Sequence, residues 1–185
     1  YFIVPYTIGN YLASASKFDI NHSNFDKHKK KCEEKINKII SIKGKKTVDD
    51  LHKELGKIMW DNVGMSRSKK SLNNALSLFP YLKEEFWSNL LVPGTFNSFN
   101  SELEKAGRLL DFIELGELMT IDALNREESC GGHFREEHQT SENEAKRNDE
   151  EYSYVSAWEH SKEGSVLHKE KLKFSNVKLA TRSYK

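Results

Sequence analysis

The feature that most constrains this chain is one apolar stripe. Leu72, Ala75, Phe79, Leu82, Phe86 and Leu90 recur at steps of three, four, three, four and four residues. That period fits one face of an α-helix. Pro80 lies inside it, where a proline removes a backbone hydrogen bond and bends a helix. The stripe keeps its phase across the proline, so the spacing predicts one bent helix. Val92-Pro93-Gly94-Thr95 ends it.

Two further segments carry the same period. Thr47 caps the first, with Asp50 three residues on in a box-like arrangement. Val48, Leu51, Leu55 and Ile58 form its apolar face, and Val63-Gly64 supplies a C-terminal stop. The second opens at Ser101 with Glu104 three residues on, and runs to about Glu128. It carries Leu103, Ala106, Leu109, Leu110, Ile113, Leu118, Ile121 and Leu124. These cover more than one stripe, so this helix is expected to lie buried between neighbours. Short links between long amphipathic helices favour antiparallel, up-down packing. The centre of the chain therefore reads as a three-helix bundle.

The flanks differ. Pro5–Ser16 reads as a short helix with Ile8, Leu12 and Ala15 on one side. A polar break at Asn21–Asp26 offers Ser23 and Asn24 as N-caps. A Lys-rich helix then runs to Ile42, with Phe25, Cys32, Ile36, Ile39 and Ile40 as its apolar side. Lys27, Lys29, Lys30, Lys31, Lys35 and Lys38 form its solvated face. After Gly131-Gly132, residues 139–151 are polar and without period. Tyr152–Trp158 alternates, as does Leu172–Phe174, with Val177–Leu179 following, and these are weak strand signals. The fold class is thus mainly α: an up-down three-helix bundle with an extra N-terminal helix and a small C-terminal strand-and-loop annex.

Composition narrows the function classes. Lys plus Arg number 29 and Asp plus Glu 28, so the net charge is +1. A nucleic-acid binder would show a one-sided basic excess, and no nucleic acid is expected as a partner. No apolar run approaches the ~20 residues that cross a bilayer, so membrane association would come through partners. Tyr1–Tyr6 opens inside an apolar run with neither Met nor a basic flank, which argues against a signal peptide. It suggests an element made to pack against something preceding it. Cys32 and Cys130 are too few for a disulfide framework and read as free thiols in a reducing compartment.

Several segments look chemical and fail on spacing. His133 and His138 flank Glu136 and Glu137, but zincin-type histidines sit four apart on one helical face, and these are five apart after a glycine pair. Cys130 near His133 is adjacency in sequence, which does not make a nucleophile and its base. Gly131-Gly132 lacks the preceding strand and following helix of a phosphate loop. Trp60, Phe79, Phe86 and Trp87 sit at helical spacing and read as core. No residue is assigned a catalytic, cofactor-binding or metal-ligating role.

Four strings carry a resemblance. MWDNVGMSRS (Met59–Ser68) resembles the turn between bundle helices in flavoprotein subunits of the succinate dehydrogenase and fumarate reductase family. ELGELMTIDALNREESCGGHFREEH (Glu114–His138) resembles that family's signature E-S-R-G-x-H-x-R after its last bundle helix. YFIVPYTIGNYLASA (Tyr1–Ala15) is similar to a helix of the variety with a diheme membrane anchor. VKLATRSYK (Val177–Lys185) looks like the family's tail. One departure is Cys130, where the signature commonly has Arg.

The resemblance implies a spectrin-repeat-like C-terminal domain of a subunit that interconverts succinate and fumarate. It implies residues 1–22 as a helix left from the flavin-binding domain, 23–130 as the bundle domain and 131–185 as the tail. FAD would belong to the full-length subunit, with none held by this segment, which alone would not catalyse. The implied partners are three: the flavin-binding domain of the same chain, an iron–sulfur subunit, and a membrane anchor reached through the complex. The implied location is peripheral, on the cytoplasmic side of the inner membrane. Arg126, Glu128, His133 and Arg135 are the candidates for bracing the flavin domain or meeting the iron–sulfur partner, against the alternative of plain surface ion pairs. Competing classes are a stand-alone helical interaction module and a related flavoprotein such as L-aspartate oxidase.

Overall fold

A computed structural model describes residues 2–17, 19–95 and 97–180. Tyr1 and the last five residues of the Val177–Lys185 string lie outside the described residues. The chain divides into two compact units, Tyr1–Lys38 and Ile39–Lys185.

In the first unit, helix α1 spans Ile3–Ser14 and ends where Ala15 turns extended while its N–H still reaches the Tyr11 carbonyl. Pro5 sits in the first turn, where its missing N–H costs nothing. None of its residues is buried, and Ile3, Tyr6, Ile8 and Leu12 stand in solvent. Helix α2 spans Ser23–Ser41 and begins in this unit. Phe25 and Cys32 on its expected apolar side are exposed, and Ile39 is its one buried residue.

The second unit holds the bundle, and its mainly helical class agrees with the sequence reading. Helix α3 spans Val48–Val63, α4 spans Lys69–Asn89 and α5 spans Ser101–Asn125. Thr47 caps α3 reciprocally: its hydroxyl accepts from the Asp50 amide at 3.1 Å, and the Asp50 carboxylate accepts from the Thr47 amide at 3.1 Å. The Thr47 bond holds the Asp50 carboxyl below the usual carboxylate range. Helix α4 is continuous through Pro80, as its unbroken stripe requires, and buries Leu72, Ala75, Phe79, Leu82 and Phe86. Each of the larger of these side chains contributes about 1.5–3 kcal/mol by leaving water.

Three expectations are corrected here. The N-cap of α5 is Asn100, not Ser101: the Asn100 side-chain Oδ1 accepts from the Leu103 amide while its Nδ2 donates to the Pro93 and Thr95 carbonyls. Helix α5 is not enclosed on all sides. Its buried face runs Ala106, Leu109, Ile113, Gly116, Thr120 and Ala123, while Leu115 and Met119 are 52% exposed. Gly116 lets α5 approach closely, because a Cβ there would meet Met59 Sδ at 3.2 Å and Phe79 Cε1 at 3.3 Å. Trp60, expected in the core, is 84% exposed on the outer side of α3.

Short parallel pairings fasten the helix ends. Strand β1 (Lys46–Thr47) pairs with β3 (Leu90–Leu91), and β2 (Ser66–Arg67) pairs with β4 (Phe134–Arg135). Gly44 packs so tightly on the Asn89 backbone that a Cβ would overlap its carbonyl carbon. After the short helix α6 (Asp149–Tyr152), strands β5 (Tyr154–Ser161) and β6 (Gly164–Lys171) form a hairpin. The strands expected at 172–174 and 177–179 do not form. The chain reverses earlier, at Gly164, whose φ of +124° suits glycine alone. Polar β6 shows no alternation because little of it is buried.

Candidate functional site

The four candidate residues converge where α5 ends. Any helix leaves its last carbonyls without partners. Here Arg135, 1% exposed, supplies them: its Nη1 donates to the carbonyls of Ala123 at 3.0 Å, Leu124 at 3.3 Å and Arg126 at 3.4 Å. His133 adds a bond from Nε2 to the Arg126 carbonyl at 2.8 Å, which makes Nε2 the protonated nitrogen. A cation at this point also complements the negative end of the helix dipole.

The loop that returns these side chains is set by its own short-range bonds. Gly131, at φ +58°, turns the chain so that Cys130 and His133 exchange backbone hydrogen bonds at 2.8 and 3.1 Å. Buried Ser129 accepts from the Arg135 amide at 2.8 Å and donates to its carbonyl at 3.1 Å. The Cys130 side chain is exposed and takes no part in this network. The glycine pair therefore closes a helix cap. It joins no strand to a helix, so it offers no cradle for the pyrophosphate of a dinucleotide such as FAD.

Glu128 and Arg126 form the second half of the cluster. Glu128, 3% exposed, accepts from Arg126 Nη1 at 2.8 Å and from the Asn148 amide at 2.8 Å. Arg126 also donates from Nη2 to the Tyr154 carbonyl at 3.0 Å and lies over the Tyr154 ring, 5.1 Å from its centre. This anchors β5 to the end of α5. Trp158 adds a second anchor, its indole N–H donating to Asp122 at 2.8 Å. With Glu128 and Arg135 both buried, the surface-ion-pair alternative does not describe them.

Three further participants carry no site role in the sequence reading. Glu137 accepts from Arg135 Nε at 3.3 Å and from the Lys69 amide, in the first turn of α4, at 2.5 Å. Ser129 is an internal linchpin, and only its place inside the signature hinted at it. Arg67 sits opposite Arg135 in the β2–β4 pair. Burial lowers the His133 pKa from the ordinary imidazole value, opposed by its bond to Arg126 and reinforced by the charges of Arg67, Arg135 and Arg126. Among the described residues no group of three or more His, Cys, Asp and Glu is placed to hold a metal. No described helix is long and apolar enough to cross a membrane.

Comparisons with known proteins bear on this arrangement. A family model described as fumarate reductase flavoprotein C-term matches residues 52–184, which include the bundle from the second turn of α3 onward and the cap loop. The succinate dehydrogenase flavoprotein subunit of Bacillus subtilis is 32% identical over 143 residues, covering 77% of this chain and 23% of that protein. The fumarate reductase flavoprotein subunit of Helicobacter pylori is 29% identical over 131 residues, 69% of this chain and 18% of its own length. Among solved structures, E. coli quinol fumarate reductase superposes with a TM-score of 0.75 at 19% identity, over 91% of this chain and 28% of that one. That last likeness speaks for the fold. The chain spans less than a third of the length of these proteins.

Proposed function

The chain belongs to the fumarate reductase flavoprotein C-terminal family, and on that premise we propose that it serves as the C-terminal region of a flavoprotein subunit interconverting succinate and fumarate. The observation that carries this is the family match over residues 52–184, which takes in nearly all of the bundle and the Glu128–Arg135 cap loop together. FAD, held by a domain that precedes this chain, supplies the hydride chemistry when bound. Residues 1–22 are a helix of that domain, 23–130 the bundle domain and 131–185 the tail. The residues here position and brace, and none acts on substrate.

In this proposal Arg126, Glu128, His133 and Arg135 hold the end of the bundle rigid against the flavin domain or an iron–sulfur subunit. Electrons leave through that subunit toward a quinone, and a membrane anchor holds the complex at the cytoplasmic side of the inner membrane. The exposed apolar α1, with Ile3, Tyr6, Ile8 and Leu12 in solvent, fits a helix made to be covered by preceding polypeptide.

The test is the reading frame upstream of the Tyr1 codon. An in-frame FAD-binding domain, with its own strand–glycine turn–helix segment, supports the proposal. A start codon immediately upstream of Tyr1 would overturn it and leave a stand-alone helical module.

A further inference from the structure

Four arginines of the Ile39–Lys185 unit each face a carboxylate. Arg108 meets Glu104, Arg126 meets Glu128 at 2.8 Å, Arg135 meets Glu137 at 3.3 Å and Arg147 meets Asp149. Arg67 breaks this pattern among the described residues. Its Nε donates to the Gly64 carbonyl at 3.1 Å, and its two terminal nitrogens have no partner there.

The surroundings explain why no carboxylate of this chain serves it. Arg67 lies opposite Arg135 in the β2–β4 register, and its carbonyl accepts from the Glu136 amide at 2.9 Å. The two acids that follow Arg135 are engaged elsewhere: Glu136 accepts from the Ser66 hydroxyl at 2.9 Å, and Glu137 is shared between Lys69 and Arg135. Arg67 is partly buried as well. Burial, and then the like charge of Arg135, work against its positive charge and lower its pKa. A partly desolvated cation beside another cation is costly unless an anion joins it.

We propose that Arg67 is the receiving group of an anion site, its two free guanidinium nitrogens taking a carboxylate brought from outside this chain. A planar fork with two parallel donors suits a carboxylate, which it binds through both oxygens. Arg135, paired opposite Arg67, adds positive potential at the same place. The inference concerns a residue outside the four bracing candidates and does not rest on the proposed enzymatic role.

The test titrates the full, isotope-labelled chain with sodium acetate, sodium succinate or sodium phosphate, with ionic strength held constant by sodium chloride. The readouts are the backbone amide signals of Arg67 and Glu136 and the His133 ring signals. The expected result is a saturable shift with acetate that chloride does not produce. Arg67→Gln should weaken binding about tenfold or more, the loss of a charged hydrogen-bonding partner, and Arg67→Lys should retain a weaker saturable response. Succinate binding within a few-fold of acetate indicates a single carboxylate, as from a protein side chain. Succinate tighter by about tenfold or more indicates a free dicarboxylate. Phosphate binding tighter than acetate overturns the carboxylate assignment. Shifts no larger than with chloride, or unchanged in Arg67→Gln, overturn the site; if Arg67→Gln does not fold, the wild-type and Arg67→Lys titrations decide.

Discussion

The guanidinium of Arg135 lies 3.3 Å from the carboxylate of Glu137, and between them they hold opposite ends of two neighbouring helices. Arg135 bonds the last carbonyls of α5, while Glu137 bonds the first-turn amide of α4. Each charge has the sign that its helix end favours. The pair therefore joins antiparallel helices at the point where the chain leaves the bundle.

Removing this clasp should be expensive. Arg135→Met strips two bonds from α5 carbonyls and a third from the C-cap carbonyl of Arg126 in a buried setting, and the expected loss is about 3–5 kcal/mol. Denaturant unfolding of the chain checks it, as a fall in midpoint at unchanged slope. A loss under about 1 kcal/mol would show that the carbonyls find other partners. Arg135→Lys should fall between, since it keeps the charge and loses the planar fork.

Stability should decline on mild acidification because of His133. Its pKa is lower folded than unfolded, so the unfolded state binds more protons once the pH falls below about 6.5. The contribution of the neutral ring is fully present above that value. It is lost progressively as pH falls from there toward the folded pKa. Thermal unfolding between neutral pH and pH about 5.5 checks this. The decline should be smaller in His133→Asn, and an equal decline in both proteins would remove His133 as its cause.

Two glycines in helix interiors should respond to alanine with opposite signs. Gly116→Ala places a methyl against Met59 and Phe79 and should cost about 1–3 kcal/mol. Gly56→Ala meets nothing within 4 Å and should stabilise α3 by about 0.5–1 kcal/mol. Equal effects would mean that α5 does not approach α3 and α4 through Gly116.

Trp158 should govern the hairpin without governing the bundle. Trp158→Phe removes the bond to Asp122 at 2.8 Å. Amide exchange in β5 and β6 should accelerate several-fold, an opening cost lowered by about 1 kcal/mol. Exchange in α4 should stay unchanged. Acceleration throughout the unit would show that hairpin and bundle open together.

How legible this was depends on what each residue advertises. Leu72 to Leu90 announced α4 through apolar period, and Thr47 with Asp50 announced the start of α3. The buried face of α5 was obscured because it passes through Gly116 and polar Thr120, whose hydroxyl is satisfied by the Gly116 carbonyl at 2.7 Å. Leu115 and Met119 misled for the converse reason, being apolar and exposed. Trp60 misled likewise. In the candidate site, Arg126, Glu128, His133 and Arg135 were found through the signature string. Arg67 and Glu137 join it through the β2–β4 pairing, a contact between segments far apart in sequence that no local pattern encodes. The Cys130 departure proves harmless to the cap, since only its backbone takes part.

The most direct measurement is made on the native polypeptide. Antibody raised against this chain would capture it from solubilised membranes, for flavin fluorescence on a denaturing gel and for succinate-to-dye activity. The expected result is a fluorescent, active band several times larger than 21.4 kDa, since the shared segment is 23% of the Bacillus subtilis relative and 18% of the Helicobacter pylori one. A colourless, inactive polypeptide of about this chain's own mass would contradict the proposed function and leave only the helical bundle.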